Sequence, residues 1–344
     1  MALVTSLRRL AGAAALMLAG TAIVSQAHAD AQHPVIGFTV YEMSSFISLG
    51  QKGAQAIAEK NGATLLWNSA NEDVNTQVSH IQQYINRKVD AIIICPVNSS
   101  TLAPEVDAAR KAGIPVFFAN ISVPETVLKN AVAYVGPDDV KAGEQEADHM
   151  VKALGGKGKV VVIQGPLGQS AEIDRTQGIK NVLAKNPGVE LAAIQPGNWL
   201  RTKAYSLTQD WLSRYGSELG GIIAENDDMA VGAIQALRER GLAGKIPVVG
   251  IDGIKDGMRA VRDGTLIETN LQNGPLELGM AVQVAVDHLQ GKQVPRMALF
   301  TMPELTKDNV GHYYDQLYGD LPKFISELPD RVRQNLTSGH YSEQ

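Results

Sequence analysis

Nine short, nearly unbroken apolar runs recur along the chain: VIGFTV (35–40), ATLLWN (63–68), AIIICP (91–96), IPVFFAN (114–120), KVVVIQG (159–165), LAAIQP (191–196), GGIIAEN (220–226), IPVVGID (246–252) and LIETNLQ (266–272). Strands with one wet face alternate apolar and polar residues; these runs do not, so each predicts a strand buried on both faces, as in a parallel sheet. Amphipathic stretches of helical length separate them, among them 48–62, 73–88, 101–113, 139–156, 171–188 and 228–244. Asp73 stands where an N-cap is wanted and Gly62 where a helix should stop. Strand–helix alternation with short turns predicts an α/β protein with doubly wound parallel sheets. Nine units exceed what one compact sheet holds, so two lobes are expected. An internal echo agrees: residues 76–98 and 206–227 each run through a helix into an apolar strand that ends in an asparagine.

The first 29 residues read as something other than fold. Arg8 and Arg9 precede an apolar run from Leu10 to Val24, and Ala27-His28-Ala29 supplies small residues for cleavage after Ala29. That is the pattern of a secretory signal peptide, with a run too short to span a bilayer, and it predicts export to a bacterial periplasm. Its removal takes Arg8 and Arg9 but no acid, so the formal charge of −5 becomes −7. An acidic chain offers little to a phosphate backbone, so no nucleic-acid partner is expected. Cys95 is the single cysteine, which excludes an internal disulfide and a multi-cysteine zinc site.

In open α/β sheets, ligands bind beyond the C-terminal ends of the strands. Those ends carry Tyr41, Glu42, Ser44 and Phe46 after the first run, Cys95 and Asn98 after the third, and Asn120 after the fourth. Gln164 to Gln169 and then Arg175 follow the fifth, Asn198 and Trp199 the sixth, Asn226 and Asp227 the seventh, Asp252 the eighth and Gln272 the ninth. Amides, carboxylates, one arginine and a few aromatics suit a hydroxyl-rich ligand with apolar C–H faces. The histidines are scattered, and Asn226-Asp227-Asp228 lacks the spacing of a calcium loop, so neither metal nor cofactor is expected. No G-x-S-x-G, Walker A or H-E-x-x-H motif occurs, so no enzymatic activity is expected. GPLGQS (165–170) has no P-loop lysine and reads as a turn with Ser170 as helix N-cap. Asp227 and Asp228 read as the cap and first turn of the following helix, leaving Asn226 as the ligand contact of that trio.

The blocks SFISLGQKGAQAIAEKNG, DAIIICPVNSS, AGIPVFFAN, RTQGIKNVLAKNP, AENDDMAVGAIQAL, VVGIDGIKDGMRAVRDG and ETNLQ make the chain, from about Pro34 to Leu305, resemble periplasmic sugar-binding proteins of the ribose/galactose type. These are solute receptors of ABC importers. The resemblance implies two lobes joined by a three-segment hinge, here 30–134 plus 273–300 and 135–272 plus 301–344, with 306–344 as a tail on the second lobe. It also implies ligand contacts at Ser44, Phe46, Cys95 and Asn120 from the first lobe, at Arg175, Trp199, Asn226 and Asp252 from the second, and at Gln272 from a crossing. Where ribose-type receptors carry Asp-Arg, this chain has Asn120-Ile121, and Glu42 adds a carboxylate, so a ligand other than plain ribose is expected. A monosaccharide, a polyol or an amino-substituted cyclitol each fit. The implied partners of this monomer are membrane permease subunits driven by a cytoplasmic ATPase. A chemoreceptor or sensor kinase is the alternative partner, and an exported glycoside hydrolase using Asp227 or Asp228 as base is a weaker competitor. A sugar-responsive repressor would need an N-terminal DNA-binding helix pair, which the export signal contradicts.

Overall fold

The structure is a computed structural model that describes residues 33–342; the signal peptide expected at 1–29 lies outside them. The chain runs β1 (Val35–Val40), α1 (Ser45–Lys60), β2 (Thr64–Ser69), α2 (Val74–Asn86), β3 (Ala91–Ile94), α3 (Ala103–Lys111), β4 (Val116–Ala119), a single turn α4 (Glu125–Leu128) and β5 (Ala133–Pro137). It crosses into α5 (Asp139–Ala153), β6 (Gly158–Gln164), α6 (Ser170–Lys185), β7 (Val189–Pro196), α7 (Arg201–Tyr215), β8 (Leu219–Ala224), α8 (Asp227–Glu239), β9 (Val248–Asp252), α9 (Lys255–Asp263) and β10 (Glu268–Leu271). It then returns through α10 (Gly274–Leu289) and β11 (Met297–Phe300), crosses again to β12 (Glu304–Leu305), and ends in α11 (Val310–Tyr314), a π turn (Asp315–Gly319) and α12 (Leu321–Ser338).

Two six-stranded sheets result, in the orders β11-β5-β4-β3-β1-β2 and β12-β10-β9-β8-β6-β7. Each core order is the same doubly wound plan, 2-1-3-4-5, and all pairings are parallel except β10 with β12. The central strands are buried along their length, as β3 and β4 show. Helices cover both faces: α1 packs on α10 across one face of the first sheet, while α5 packs on α6 and α7 on α8 about the second. The first sheet's other face closes over Tyr84, whose hydroxyl donates to the carbonyls of Phe38 and Leu66 at 3.1 and 2.9 Å.

Two differences from the sequence reading stand out. The first crossing falls after Pro137, not after Tyr134, because Ala133–Pro137 is strand β5, paired with β4 and β11. That strand and β11 are short and escape the apolar-run test. The tail does not belong to the second lobe alone. Its first part packs on α9, with Tyr314 stacked under Arg262 (5.0 Å) and the Tyr318 hydroxyl donating to the Gly253 carbonyl at 3.0 Å. The 18-residue α12 crosses to α1 and α10 of the first lobe, where Phe324, Leu328 and Val332 are buried. Burial of that apolar stripe decides its place.

Candidate functional site

The C-terminal ends of the two sheets face each other, and between them lies a small cavity lined by Tyr41, Ser44, Phe46, Asn120, Ile121, Ala171, Arg175, Trp199, Asn226, Asp252 and Gln272. Hydrogen bonds cross between the lobes beside it. The amide of Ser99 donates to the Gly168 carbonyl (3.0 Å), that of Ser170 to Ser99 Oγ (2.8 Å), that of Ser122 to Ser170 Oγ (2.7 Å), and Ser45 Oγ to Asp228 Oδ1 (3.2 Å). The molecule is therefore closed. Ser170 is the first residue of α6 and binds the other lobe, so its expected role as N-cap is wrong: the cap position is Gln169, which makes no side-chain cap bond.

Each lining side chain is fixed by its element. Ser44 caps α1, accepting from the Ile47 amide at 3.2 Å, which seats Phe46 in the first turn. Asn120 (φ +62), Trp199 (φ +59) and Asp252 (φ +122) occupy left-handed backbone that non-glycine residues rarely adopt. Such strain persists only where surrounding contacts over-determine it. Trp199 lies against Gly165, where a β-carbon would overlap the indole, and its Nε1 donates to Gln169 Oε1 at 2.8 Å. Asn226 is the N-cap of α8, accepting from the Met229 amide at 2.9 Å, while Asp227 and Asp228 form the first turn. The cap is thus the residue expected to touch ligand, and Asp227 instead reaches the Ile254 amide at 3.0 Å.

Arg175 organises the floor. It is 3% exposed; Nε donates to Asp139 Oδ1 (2.8 Å), Nη1 to the Glu225 carbonyl (2.5 Å) and Nη2 to Gln272 Oε1 (2.9 Å). Its guanidinium also sits 5.6 Å from the Trp199 ring centroid. Burial opposes its charge, but Asp139 and Asp252 outweigh that and hold the group protonated. Asp252, 3.9 Å from Nη1, is pushed up to about 8 by burial, with Arg175 pulling the other way and Asp228 and Asp139 adding to the rise. Glu225, behind the wall, is pushed to about 8 by burial while it accepts from Thr176 Oγ1 and the Gly165 amide.

Eight of the ten residues singled out from the sequence line this cavity: Ser44, Phe46, Asn120, Arg175, Trp199, Asn226, Asp252 and Gln272. Glu42 does not. Tyr41, one residue before it in the bend past β1, does line the cavity, and burial and Asp228 push Glu42 to about 7. Cys95 does not line it either. Its side chain sits in the apolar core beneath, and its carbonyl accepts from Gln77 at 2.9 Å. Tyr41, named only as a strand-end residue, Ile121, named only as the neighbour of Asn120, and Ala171 also line the cavity. Tyr41 was readable as a strand-end aromatic, whereas Ile121 and Ala171 carry no polar signal. Among the described residues no cluster of metal-ligating side chains occurs.

Two lobes of one topology, joined by three crossings and meeting over a small polar cavity, define a class of closing solute receptor. The chain belongs to the periplasmic binding protein domain family, whose model matches residues 36–293. It is 44% identical over 304 residues to the xylitol-binding protein of Mycolicibacterium smegmatis, covering 88% of this chain and 86% of that one. It is 31% identical over 263 residues to the ribose import binding protein of Bacillus subtilis, covering 76% and 83%. An ABC transporter solute binding protein from Bacillus halodurans, solved with bound myo-inositol, superposes with a TM-score of 0.78 at 29% identity, covering 83% of this chain and 98% of that one.

Proposed function

We propose that this chain is a non-enzymatic periplasmic receptor, exported by the segment cleaved after Ala29, that binds a neutral polyol or monosaccharide and hands it to the permease of an ABC importer. The observation that carries this reading is the small cavity between the lobes, whose lining combines hydrogen-bonding groups with the rings of Tyr41, Phe46 and Trp199. Phe46 and Trp199 supply apolar faces for ligand C–H groups. Asn120, Arg175, Asn226, Asp252 and Gln272 supply donors and acceptors for hydroxyls. Both lobes contribute, so the full set exists only when the lobes meet, and ligand shifts the population toward closure. Names among the relatives span a pentitol and a pentose, and one similar structure holds a cyclitol; the 44% relative makes xylitol the first ligand to try.

Thermal unfolding of the chain from Asp30 onward, with xylitol, ribose and myo-inositol in turn, tests it. A true ligand raises the apparent melting temperature by mass action. If no polyol or sugar in a broad panel shifts it, and calorimetry gives no binding heat, the receptor reading fails. Mass spectrometry of the exported protein checks that its N-terminus is Asp30.

A further inference from the structure

The residue ahead of α6 spends its side chain away from its own helix. Position 169 is the N-cap, where Ser, Thr, Asp or Asn would accept from a first-turn amide; Gln169 makes no such bond. It is fully buried, and its Oε1 accepts from Trp199 Nε1 at 2.8 Å. An indole N–H only donates, so the Gln169 amide stands one way round, with Oε1 on the indole. The residues on either side are engaged too. The Gly168 carbonyl accepts from the Ser99 amide, and the Ser170 amide donates to Ser99 Oγ, both across to the first lobe. Trp199 has further neighbours: Gly165 leaves it room that a β-carbon would fill, and the Arg175 guanidinium lies 5.6 Å from its ring centroid. Asn198 and Trp199 both hold left-handed backbone, at φ +54 and +59, a strain that persists only where contacts over-determine it.

We propose that Gln169 is the positioning residue for Trp199 and, through it, a determinant of what the cavity accepts. By taking the indole N–H it leaves Trp199 no donor for a ligand hydroxyl, so the ring offers the ligand only its apolar carbon surface. This rests on the polyol-receptor reading for the ligand, though not for the bond itself. A capping residue at 169 would serve α6 and leave the indole N–H buried without a partner, which costs as much as a lost hydrogen bond. The missing cap is the local cost of holding the ring. The loop that holds it is also the loop that the facing lobe clamps at Gly168 and Ser170, so lobe closure and the aim of the ring share one short segment.

The test uses Gln169→Leu, which removes the acceptor at similar size, and Gln169→Glu, which keeps an acceptor in place and drops the NH2 group, buried and without a partner. The chain has three tryptophans, and Trp199→Phe identifies the Trp199 indole proton in nitrogen-edited NMR spectra. That signal lies downfield, as a hydrogen-bonded N–H, in the parent and in Q169E, and moves upfield in Q169L. Xylitol affinity falls about tenfold in Q169L and stays within about threefold of the parent in Q169E. In a W199F background Q169L costs no more than about twofold, because the ring no longer has an N–H to hold. An equal loss in both backgrounds, or parental affinity in Q169L, overturns the assignment. An upfield indole signal in Q169E does so too, and needs no folded Q169L. If xylitol binds none of the proteins while the indole signal moves as expected, the ligand choice has failed and the positioning bond stands.

Discussion

Arg175 donates in three directions and lies beside the Trp199 ring, so one side chain ties α5, β8, the crossing and an aromatic wall together. Arg175→Met leaves Asp139 and Asp252 buried without their cation. The expected cost is about 3–5 kcal/mol of stability, seen as a lower melting temperature, together with loss of xylitol binding in calorimetry. Asp252→Ala should leave the fold closer to intact and weaken binding by about 0.5–1.5 kcal/mol, the scale of a lost hydrogen bond between neutral groups. Normal affinity in both variants would remove them from the site. At this scale the sequence spoke clearly, because a polar residue just past an apolar run has few places to go. It did not separate Glu42 and Cys95 from the lining residues, since no apolar pattern records which way a side chain turns once the chain leaves its strand.

The GPLGQS turn between β6 and α6 joins two tasks. Gly168 and Ser170 form hydrogen bonds to the other lobe, and Gln169 between them holds the Trp199 indole. Gly168 has φ +93, and a β-carbon there would run into Asn98 of the facing lobe. Ser99→Ala and Ser170→Ala each remove one bond made only on closure. Each should weaken xylitol binding by about 0.5–1.5 kcal/mol, with the ligand-free melting temperature nearly unchanged. A large drop in that temperature would show the bonds to be structural within a lobe. Helices such as α2 were legible from cap residues, Asp73 accepting from the Thr76 amide at 2.6 Å. The partner of Ser170 was not legible: it lies on a loop 48 residues away, and only the closed lobes bring the two together.

Among the described residues, buried carboxyls outnumber buried cations, and their titration sets a pH dependence of the whole molecule. Glu225, Asp252 and Glu277 are each pushed to about 8, chiefly by burial. In the unfolded chain such groups ionise near pH 4. Between about pH 4.5 and 8 the unfolded state therefore binds fewer protons, and stability falls as pH rises. The ligand-free melting temperature should be higher near pH 5.5 than near pH 8 at fixed salt, and a flat or rising profile would contradict the burial. The tail gives a second expectation. Ending the chain at Gly319 uncovers the faces of α1 and α10 that Phe324, Leu328 and Val332 bury, at roughly 1.5–3 kcal/mol for each side chain. Lower solubility and a lower melting temperature should follow.

By itself the sequence determined the α/β class, the two-lobed plan and most of the cavity's polar lining. Strands buried on both faces cannot hide their composition, and strand ends are where such sheets expose side chains. Tertiary structure alone decided that β5 extends to Pro137, that α12 returns to the first lobe, and that Glu42 stays out of the cavity. Each of these depends on contacts between segments far apart in the chain, and local pattern carries no information about which distant surface a segment will meet.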